Sequence, residues 1–242
     1  MQLTIILVEP EHPGNTGAIA RAMKNFDCKN LILIRPLFKR DNEELRNRAK
    51  WANDVIDNAV ILKGKTGTNT TLKNLRKKFD YLIATTAIIG RDYHIARSPI
   101  TPEQLALRIA EIAPQSKTKI GIIIGRESSG LTNDELAIAD FTVTIPASKK
   151  YGTMNISHAT TIILYELFKK TNSEHLTSHI TPISGREKEQ ILKILNMQLK
   201  KMSFATPEKR ETQRLVWKKL IAKGFLSKRE AYALMGFLKK IK

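Results

Sequence analysis

Cysteine, acidic residues and long apolar runs are scarce in this chain of 242 residues. The single cysteine, Cys28, excludes an internal disulfide and a zinc site built from several thiolates. Because it stands just before the apolar residues 31–34, we expect a buried structural thiol. No apolar run approaches the roughly 18 residues of a membrane span, and residues 1–10 are too short and then too charged for a signal peptide. The sequence therefore predicts a cytoplasmic protein with no membrane partner.

The shortage of acidic residues leaves a strongly basic chain. Lys and Arg number 41 against 23 Asp and Glu, a formal net charge of +18, and such a field favours polyanions. Residues 171–242 carry 16 basic and 6 acidic residues, whereas residues 1–170 carry 25 and 17. The last third is therefore the denser in positive charge. The composition alone fits an RNA partner and a lysine-rich solvated surface equally well.

Strand-like and helix-like patterns alternate along the first 170 residues. The strand-like segments are residues 3–8, 31–34, 81–84, 120–124 and 142–145. The helix-like segments are residues 18–26, 42–49, 72–78, 102–113, 133–139 and 155–168. This alternation predicts an α/β fold with a mostly parallel sheet and helices on both faces.

The pattern changes near residue 171. Residues 171–185 are rich in Thr, Ser, His, Asn and Pro and are typical of a linker. Three helix-like segments follow, at residues 187–202, 207–223 and 228–240, and Ser227 with Glu230 predicts a capping box for the last. We therefore expect an α/β domain at residues 1–170, a linker at 171–185 and a basic helical extension at 186–242.

The first candidate site segment is Gly-Asn-Thr-Gly at residues 14–17, between a strand and a helix start. Glycines there leave backbone amides free to meet an anion or a polar ligand. Arg21 is then about one helical turn in, on the face toward the loop. A good turn with a helix N-cap and a surface cation is the other interpretation, and spacing by itself favours it.

The second segment, Gly125-Arg126-Glu127-Ser128-Ser129-Gly130, follows the most apolar strand. It is not the dinucleotide fingerprint, because Glu127 stands where a second glycine must admit a pyrophosphate. A carboxylate repels phosphates and suits a ligand with hydroxyls and a positive sulfonium, namely S-adenosylmethionine. The alternative is that Glu127 caps the helix that begins near Thr132.

The third segment ends a strand at Ile145 and Pro146, continues through a polar turn at residues 149–152, and opens a helix at Asn155. Backbone groups at a helix start can recognise the edge of an adenine. Residues 85–87 (Thr-Thr-Ala) end another strand and match a further ligand loop by position, although this match is the least specific. The five histidines show no metal-ligand spacing with acids or Cys28, so no metal is expected.

Taken in this order, the three segments resemble the motifs of the SPOUT superfamily of RNA methyltransferases, in its TrmH-like (SpoU) branch. The resemblance covers roughly residues 3–170. It implies a trefoil knot at the carboxyl end of the sheet, an exception to the usual absence of threaded loops. It also implies S-adenosylmethionine as cofactor, a homodimer with the site at the subunit interface, and methylation of ribose 2'-oxygens.

The same resemblance assigns roles to residues. Arg21 is the catalytic arginine, Asn15 orders the site, Glu127 braces the fold or the arginine, Asn155 is the motif asparagine, and the Thr153 hydroxyl contacts the target nucleotide. The residues expected at the cofactor are Thr85, Thr86, Ala87, Gly125, Ile145, Gly152, Thr153 and Met154.

The opening E-P-x-H-P-G-N-T-G-A-I-A-R and the basic extension look most like the TrmJ type of this branch, which modifies nucleotide 32 in the tRNA anticodon loop. Residues expected at the RNA are Arg21, Arg91, Arg97, Lys149, Lys150, Lys209, Arg210, Arg214 and Lys218. We expect Leu215, Trp217 and Phe225 to be core or docking residues. Ribosomal RNA or another tRNA nucleotide is the alternative substrate. A non-catalytic RNA-binding protein is the other rival, and the retained motif residues argue against it.

Overall fold

The structure, a computed structural model, describes residues 1–64, 67–88, 99–112, 118–172, 183–224 and 226–241. It divides into two compact units, Met1–Asn172 and Ser173–Lys242. No helix in the described ranges is long and apolar enough to cross a membrane. The functions predicted for the two parts of the chain remain predictions.

One parallel sheet lies at the centre of the larger unit. Its strands are β1 Gln2–Val8, β2 Asn30–Ile34, β3 Val60–Leu62, β4 Tyr81–Thr85, β5 Lys119–Ile124 and β6 Phe141–Val143. They follow the order β3-β2-β1-β5-β4-β6, and each of these pairings is parallel. The predicted mostly parallel sheet is confirmed, whereas the trefoil knot stays a prediction.

Helices cover both faces of this sheet. They are α1 Pro13–Asn25, α2 Glu43–Ala49, α3 Asn53–Asp57, α4 Thr68–Arg76, α5 Pro102–Ile112, α6 Asn133–Leu136 and α7 Ile156–Thr171. Alternate residues of β1 point to opposite faces. Ile5 and Leu7 pack with α1, α2, α3, α5 and α7, whereas Ile6 and Val8 pack with α4 and α6. Both faces of the central strands are therefore apolar, as a covered parallel sheet requires.

Several elements differ from the sequence expectation, among them α3 Asn53–Asp57, which was not predicted. The first helix begins at Pro13 and not near residue 18, because proline has the backbone geometry of a first helical position and its missing N–H costs nothing there. The strand Val60–Leu62 was not predicted, since three residues at a sheet edge carry almost no periodic signal. The helix expected at 133–139 ends at Leu136.

The smaller unit consists, in its described part, of α8 Gly185–Lys201, α9 Pro207–Lys223 and α10 Lys228–Lys240. The predicted capping box of Ser227 and Glu230 is confirmed. A small apolar core lies mainly between α8 and α10, and Ile221 is the one buried residue of α9. Leu215 and Trp217 are 44% and 36% exposed, so their predicted place in the core is wrong. Their docking role stays a prediction, and Phe225 lies outside the described residues.

Cys28 follows α1 and is 3% exposed. Its Sγ lies 3.7 Å from the carbonyl oxygen of Leu3. Burial raises the pKa of this thiol to about 12, because the thiolate would lose its hydration. The expected buried structural thiol is confirmed.

Candidate active site at the carboxyl edge of the sheet

A cavity of about 250 Å³ opens where β4, β5 and β6 end. This is the edge at which open α/β sheets bind ligands. The residues predicted at the cofactor all line the cavity: Thr85, Thr86, Ala87, Gly125, Ile145, Gly152, Thr153 and Met154. A larger recess of about 480 Å³ lies between the end of α1, α5 and α7, and none of the predicted site residues lines it.

The loop after β5 forms one wall of this cavity and is closed on itself. The amide of Arg126 donates to the carbonyl of Gly130 at 3.3 Å, and the amide of Gly130 donates to the carbonyl of Arg126 at 3.0 Å. A methyl group on Gly125 would lie 2.3 Å from the carbonyl carbon of Gly130. Gly130 has φ of +67°, the region that favours glycine. Both glycines are therefore needed for the shape of this wall.

The loop after β4 forms a second wall. The hydroxyl of Thr85 donates to the carbonyl of Ile123 at 3.1 Å, and the amide of Thr86 donates to the carbonyl of Val143 at 2.9 Å. The Thr86 hydroxyl also receives a hydrogen bond from the amide of Ile88 at 3.1 Å. These threonines hold the backbone of the loop in place against the neighbouring strands.

The third wall runs from a turn into α7. The amide of Tyr151 donates to the carbonyl of Ser148 at 3.1 Å, which closes the turn. A methyl group on Gly152 would meet no atom closer than 3.6 Å, so this glycine is not required by packing. Thr153 is exposed, and Asn155 caps α7. The predicted helix opening at Asn155 is confirmed.

Glu127 connects the cavity wall to the start of α1. Its carboxylate accepts from the amide of Glu11 at 2.9 Å, from the amide of His12 at 3.3 Å, and from Nδ2 of Asn15 at 3.2 Å. His12 is the N-cap of α1 but makes no side-chain cap bond. The carboxylate thus lies at the positive end of the helix and accepts from the amide of its N-cap residue.

The alternative role of Glu127, as the cap of the helix after Thr132, is wrong. That helix is capped by its own box, in which the Thr132 hydroxyl accepts from the amide of Glu135 and the Glu135 carboxylate accepts from the amide of Thr132. Glu127 braces the start of α1 instead.

Two asparagines extend this connection to α7. Nδ2 of Asn155 donates to Oδ1 of Asn15 at 3.0 Å. Oδ1 of Asn155 accepts from the amide of Ser157 at 2.8 Å and from its hydroxyl at 2.7 Å. Three predicted catalytic residues, Glu127, Asn15 and Asn155, therefore form one hydrogen-bonded chain that joins the β5 loop, α1 and α7.

Gly14 and Gly17 lie neither in a free anion-binding loop nor in the alternative turn with a helix N-cap. Both lie inside α1, and they are small because α2 packs against them. A methyl group on Gly14 would collide with the carboxylate of Glu44, and one on Gly17 would lie 2.4 Å from the carbonyl oxygen of Leu45. Both glycines therefore serve helix packing.

Arg21 lies on the surface of α1, in its third turn and not about one turn in. It is separated from Asn15 by about 9 Å along the helix axis and by about 120° around it. Arg21 is exposed, has no ion pair within the described ranges, and is not among the residues lining the cavity. A single copy of the chain does not bring Arg21 to the predicted cofactor residues.

Arg126 is the residue of this region that sequence reasoning left without a role. Its guanidinium contacts Glu135 with two bonds of 3.0 and 2.9 Å and Glu9 with one of 2.7 Å. The bonds to Glu135 and then to Glu9 raise the pKa of Arg126 above its ordinary value. The side chains of Arg126 and Glu135 are 15% and 2% exposed. This partly buried ion network ties the β5 loop to the end of β1.

The residues predicted to contact RNA are spread over both units. Arg91 and Arg97 lie outside the described residues. Lys149 and Lys150 are exposed in the turn before Tyr151. On α9, Arg214 is paired with Glu211, and Arg210 also interacts electrostatically with Glu211. In the described structure the side chains of Lys209, Arg210 and Lys218 make no hydrogen bond or ion pair.

Comparison with known proteins identifies the family of this chain. The model described as the SpoU rRNA Methylase family matches residues 2–165. The chain belongs to this family. The resemblance drawn from the three motifs is thereby confirmed, and so is the class of enzyme, an RNA methyltransferase.

Relatives of full length are found as well. The tRNA (cytidine-2'-O-)-methyltransferase TrmJ of Methanocaldococcus jannaschii is 35% identical over 240 residues, which are 99% of this chain and 99% of that protein. The Sulfolobus acidocaldarius protein of the same name is 32% identical over 244 residues, covering 100% and 94%. Among solved structures, TrmJ from Z. mobilis ZM4 matches with a TM-score of 0.67 at 26% identity, over 98% of this chain and 97% of that chain.

Proposed function

We propose that this protein uses S-adenosylmethionine to methylate the ribose 2'-oxygen of nucleotide 32, a cytidine or a uridine, in the anticodon loop of tRNA. One observation carries the proposal. Glu127, Asn15 and Asn155 join the cavity of the β5 loop to the helix that bears Arg21. The full-length similarity to two proteins named tRNA (cytidine-2'-O-)-methyltransferase supports the substrate class.

The residues of the cavity fit S-adenosylmethionine by their chemistry. Backbone groups of Gly125 and of residues 152–154 are available to a polar ligand, and Ile145 adds an apolar surface. The carboxylate of Glu127 in the wall disfavours the phosphates of a nicotinamide dinucleotide and favours a positive sulfonium. When bound, this cofactor supplies an activated methyl group to the ribose 2'-oxygen.

The chain's own contribution is positioning and electrostatics. A guanidinium stays protonated at neutral pH because its pKa is so high, so it does not accept the proton of the 2'-hydroxyl, which passes to water as the methyl group is transferred. Arg21 therefore holds the phosphate next to the target and stabilises negative charge that develops on the 2'-oxygen. Thr153, exposed at the cavity, contacts the target nucleotide, and the hydrogen-bonded chain of Glu127, Asn15 and Asn155 fixes α1 relative to the cavity.

The proposal includes a homodimer in the cytoplasm. Arg21 is on the outer surface of α1 and does not line the cavity of its own chain. A second copy that brings its Arg21 to this cavity would complete the site, in keeping with the family resemblance. Within the proposal, the dimer is therefore needed to complete the active site.

Two measurements test the proposed function. In calorimetry, S-adenosylhomocysteine should bind without added metal, and tight NAD binding without S-adenosylhomocysteine binding would overturn the cofactor. Methylation of total RNA followed by nuclease mapping should place a 2'-O-methyl at tRNA nucleotide 32. A product in ribosomal RNA, the substrate in the family model's description, would move the enzyme to the alternative, and no product with intact cofactor binding would favour a non-catalytic RNA-binding protein.

A further inference from the structure

A tryptophan projects from the surface next to α1. Trp51 lies in the 3-10 turn Lys50–Ala52 between α2 and α3 and is 92% exposed, whereas Ala49 and Ala52 beside it are buried. Single exposed apolar residues are common and need no explanation by themselves. Trp51 is set apart by how its backbone is held and by the charges that surround it.

The backbone that carries Trp51 is fixed from both sides. The ammonium of Lys24 donates to the carbonyl of Trp51 at 2.7 Å and to the carboxylate of Asp54 at 2.8 Å. Nδ2 of Asn53 donates to the carbonyl of Lys50 at 2.7 Å. Lys50 has φ of +52°, a conformation that non-glycine residues seldom adopt. The indole is thus presented on an ordered turn, which lowers the entropy lost when a ligand packs on it.

Trp51 lies on the same face of α1 as Arg21. Gly17, Arg21 and Lys24 are spaced by four and three residues and therefore share one face of the helix. A methyl group on Gly17 would lie 2.8 Å from Cβ of Arg48, and Lys24 contacts Trp51. Arg21 is consequently on α1 between the points where Arg48 and Trp51 meet the helix.

The charge around the indole is positive and unbalanced. Arg21, Arg48 and Lys50 are exposed, and their side chains have no hydrogen bond or ion pair within the described part of the chain. Lys24 is the exception, since Asp54 compensates its charge. An exposed aromatic ring among uncompensated cations is the combination with which proteins hold single-stranded nucleic acid, because the ring stacks on a base and the cations meet phosphates.

We propose that Trp51, flanked by Arg48 and Lys50, is a stacking platform for an unpaired base of the RNA substrate, close to the nucleotide whose phosphate Arg21 holds. The inference rests on the proposed function and names a substrate contact beyond the cavity. Three uncompensated cations favour a polyanion over a second copy of the same basic patch, because like charges facing each other are repelled.

The experiment compares Trp51→Leu with Trp51→Phe in the full-length protein, with an anticodon stem-loop RNA as the probe. Trp51→Leu should weaken RNA binding by roughly 5- to 150-fold, the range expected when one stacked base is lost. Trp51→Phe should stay within about 3-fold of the parent, because a phenyl ring also stacks. The affinity for S-adenosylhomocysteine and the molar mass in solution should be the same in all three proteins.

Arg48→Gln is the matched control variant that tests the contribution of charge to RNA binding. It should lower the slope of log affinity against log salt by somewhat less than one, whereas Trp51→Leu should weaken binding without changing the slope, since stacking releases no counterion. In a Trp217→Phe background Trp51 is the one remaining tryptophan, and its fluorescence should be quenched by the RNA.

Several outcomes would exclude Trp51 as a stacking platform for RNA. Trp51→Leu that binds RNA like the parent protein, or unquenched fluorescence on RNA binding, excludes stacking. A changed molar mass for Trp51→Leu assigns the surface to a second copy of the chain. Each of these leaves methylation of tRNA by the parent protein untouched, so the proposed function survives. If the parent protein neither binds nor methylates tRNA, the proposed function fails and the platform fails with it.

Discussion

The two units of the molecule differ in how they hold their functional side chains. In the larger unit, Glu127, Asn15 and Asn155 are joined by hydrogen bonds of about 3 Å, and Arg126 is fixed in a partly buried ion network. In the smaller unit, α9 is exposed along most of its length and most of its basic side chains lack a described partner. Methyl transfer needs fixed geometry, whereas attraction to phosphates tolerates movement. Substitutions should therefore affect the two units in different ways.

The largest expected effect is that of Arg21→Ala. Methyl transfer should fall by at least about two orders of magnitude, because one group that stabilises transition-state charge is lost. The fold and the affinity for S-adenosylhomocysteine should stay nearly unchanged, since Arg21 is exposed and outside the cavity. Turnover of the purified variant is the measurement, and Arg108→Ala, which removes an exposed cation of α5, is the control. Turnover near that of the parent would remove Arg21 from the catalytic role.

The next prediction compares a glycine-to-alanine substitution in each of the two units. Gly125→Ala should lower the affinity for S-adenosylhomocysteine by about tenfold or more, because its methyl group would lie 2.3 Å from Gly130 and force the cavity wall to move. Gly236→Ala in α10 meets no atom within 4 Å and should stabilise the protein by about 0.5–1 kcal/mol, as alanine favours helices. Calorimetry and thermal unfolding measure the two. Equal affinity in Gly125→Ala would show that the loop is not part of the cofactor site.

A smaller, several-fold effect is expected from truncation after Lys170. Cofactor binding and dimerisation should persist, while tRNA binding weakens severalfold or more and its salt dependence becomes shallower, because phosphate contacts are lost. The measurement is tRNA affinity as a function of salt. If the truncated protein bound and methylated full-length tRNA as well as the intact chain at physiological salt, the extension would have to serve stability or another partner.

The smallest effect concerns Cys28, whose thiol should stay unreactive as long as the larger unit is folded. Burial raises the pKa of its thiol to about 12, so the reactive thiolate is almost absent at every pH up to about 9. The raised pKa favours the protonated thiol in the folded state, and this contribution to stability is complete below the unfolded pKa and is lost as the pH approaches 12. A thiol reagent should therefore react with Cys28 at neutral pH only after unfolding. Rapid labelling of the native protein would contradict the burial.

The sequence predicted the parts of the site that depend on segment order. Parallel strands end at one edge of a sheet, so residues 85–87, 125–130 and 145–154 had to meet there once the strands were recognised. It did not predict that packing against α2 requires glycine at positions 14 and 17, because these contacts are tertiary. The role of Glu127 was open for the same reason: only the capping of the helix after Thr132 is local in sequence, whereas the observed bonds span more than 110 residues.

The ion network of Arg126 shows the same limit. Glu9, Arg126 and Glu135 belong to three separate segments, and no periodicity links them. In the smaller unit the helices were well predicted because capping residues are local signals, as at Ser227. The exposure of α9 was not predicted, because apolar residues such as Leu215 indicate a core only when a partner surface is present.

The most direct test of the contrast between the units is a side-by-side measurement of kcat and of KM for tRNA. The two variants are Arg21→Ala and a full-length chain with Lys209→Gln, Arg210→Gln and Lys218→Gln. Arg21→Ala should lower kcat by at least about 100-fold with little change in KM, in line with loss of a transition-state group. The triple variant should raise KM severalfold with kcat unchanged, because it loses uniform binding. A triple variant whose kcat collapses, or an Arg21→Ala protein altered in KM alone, would contradict this contrast between the units.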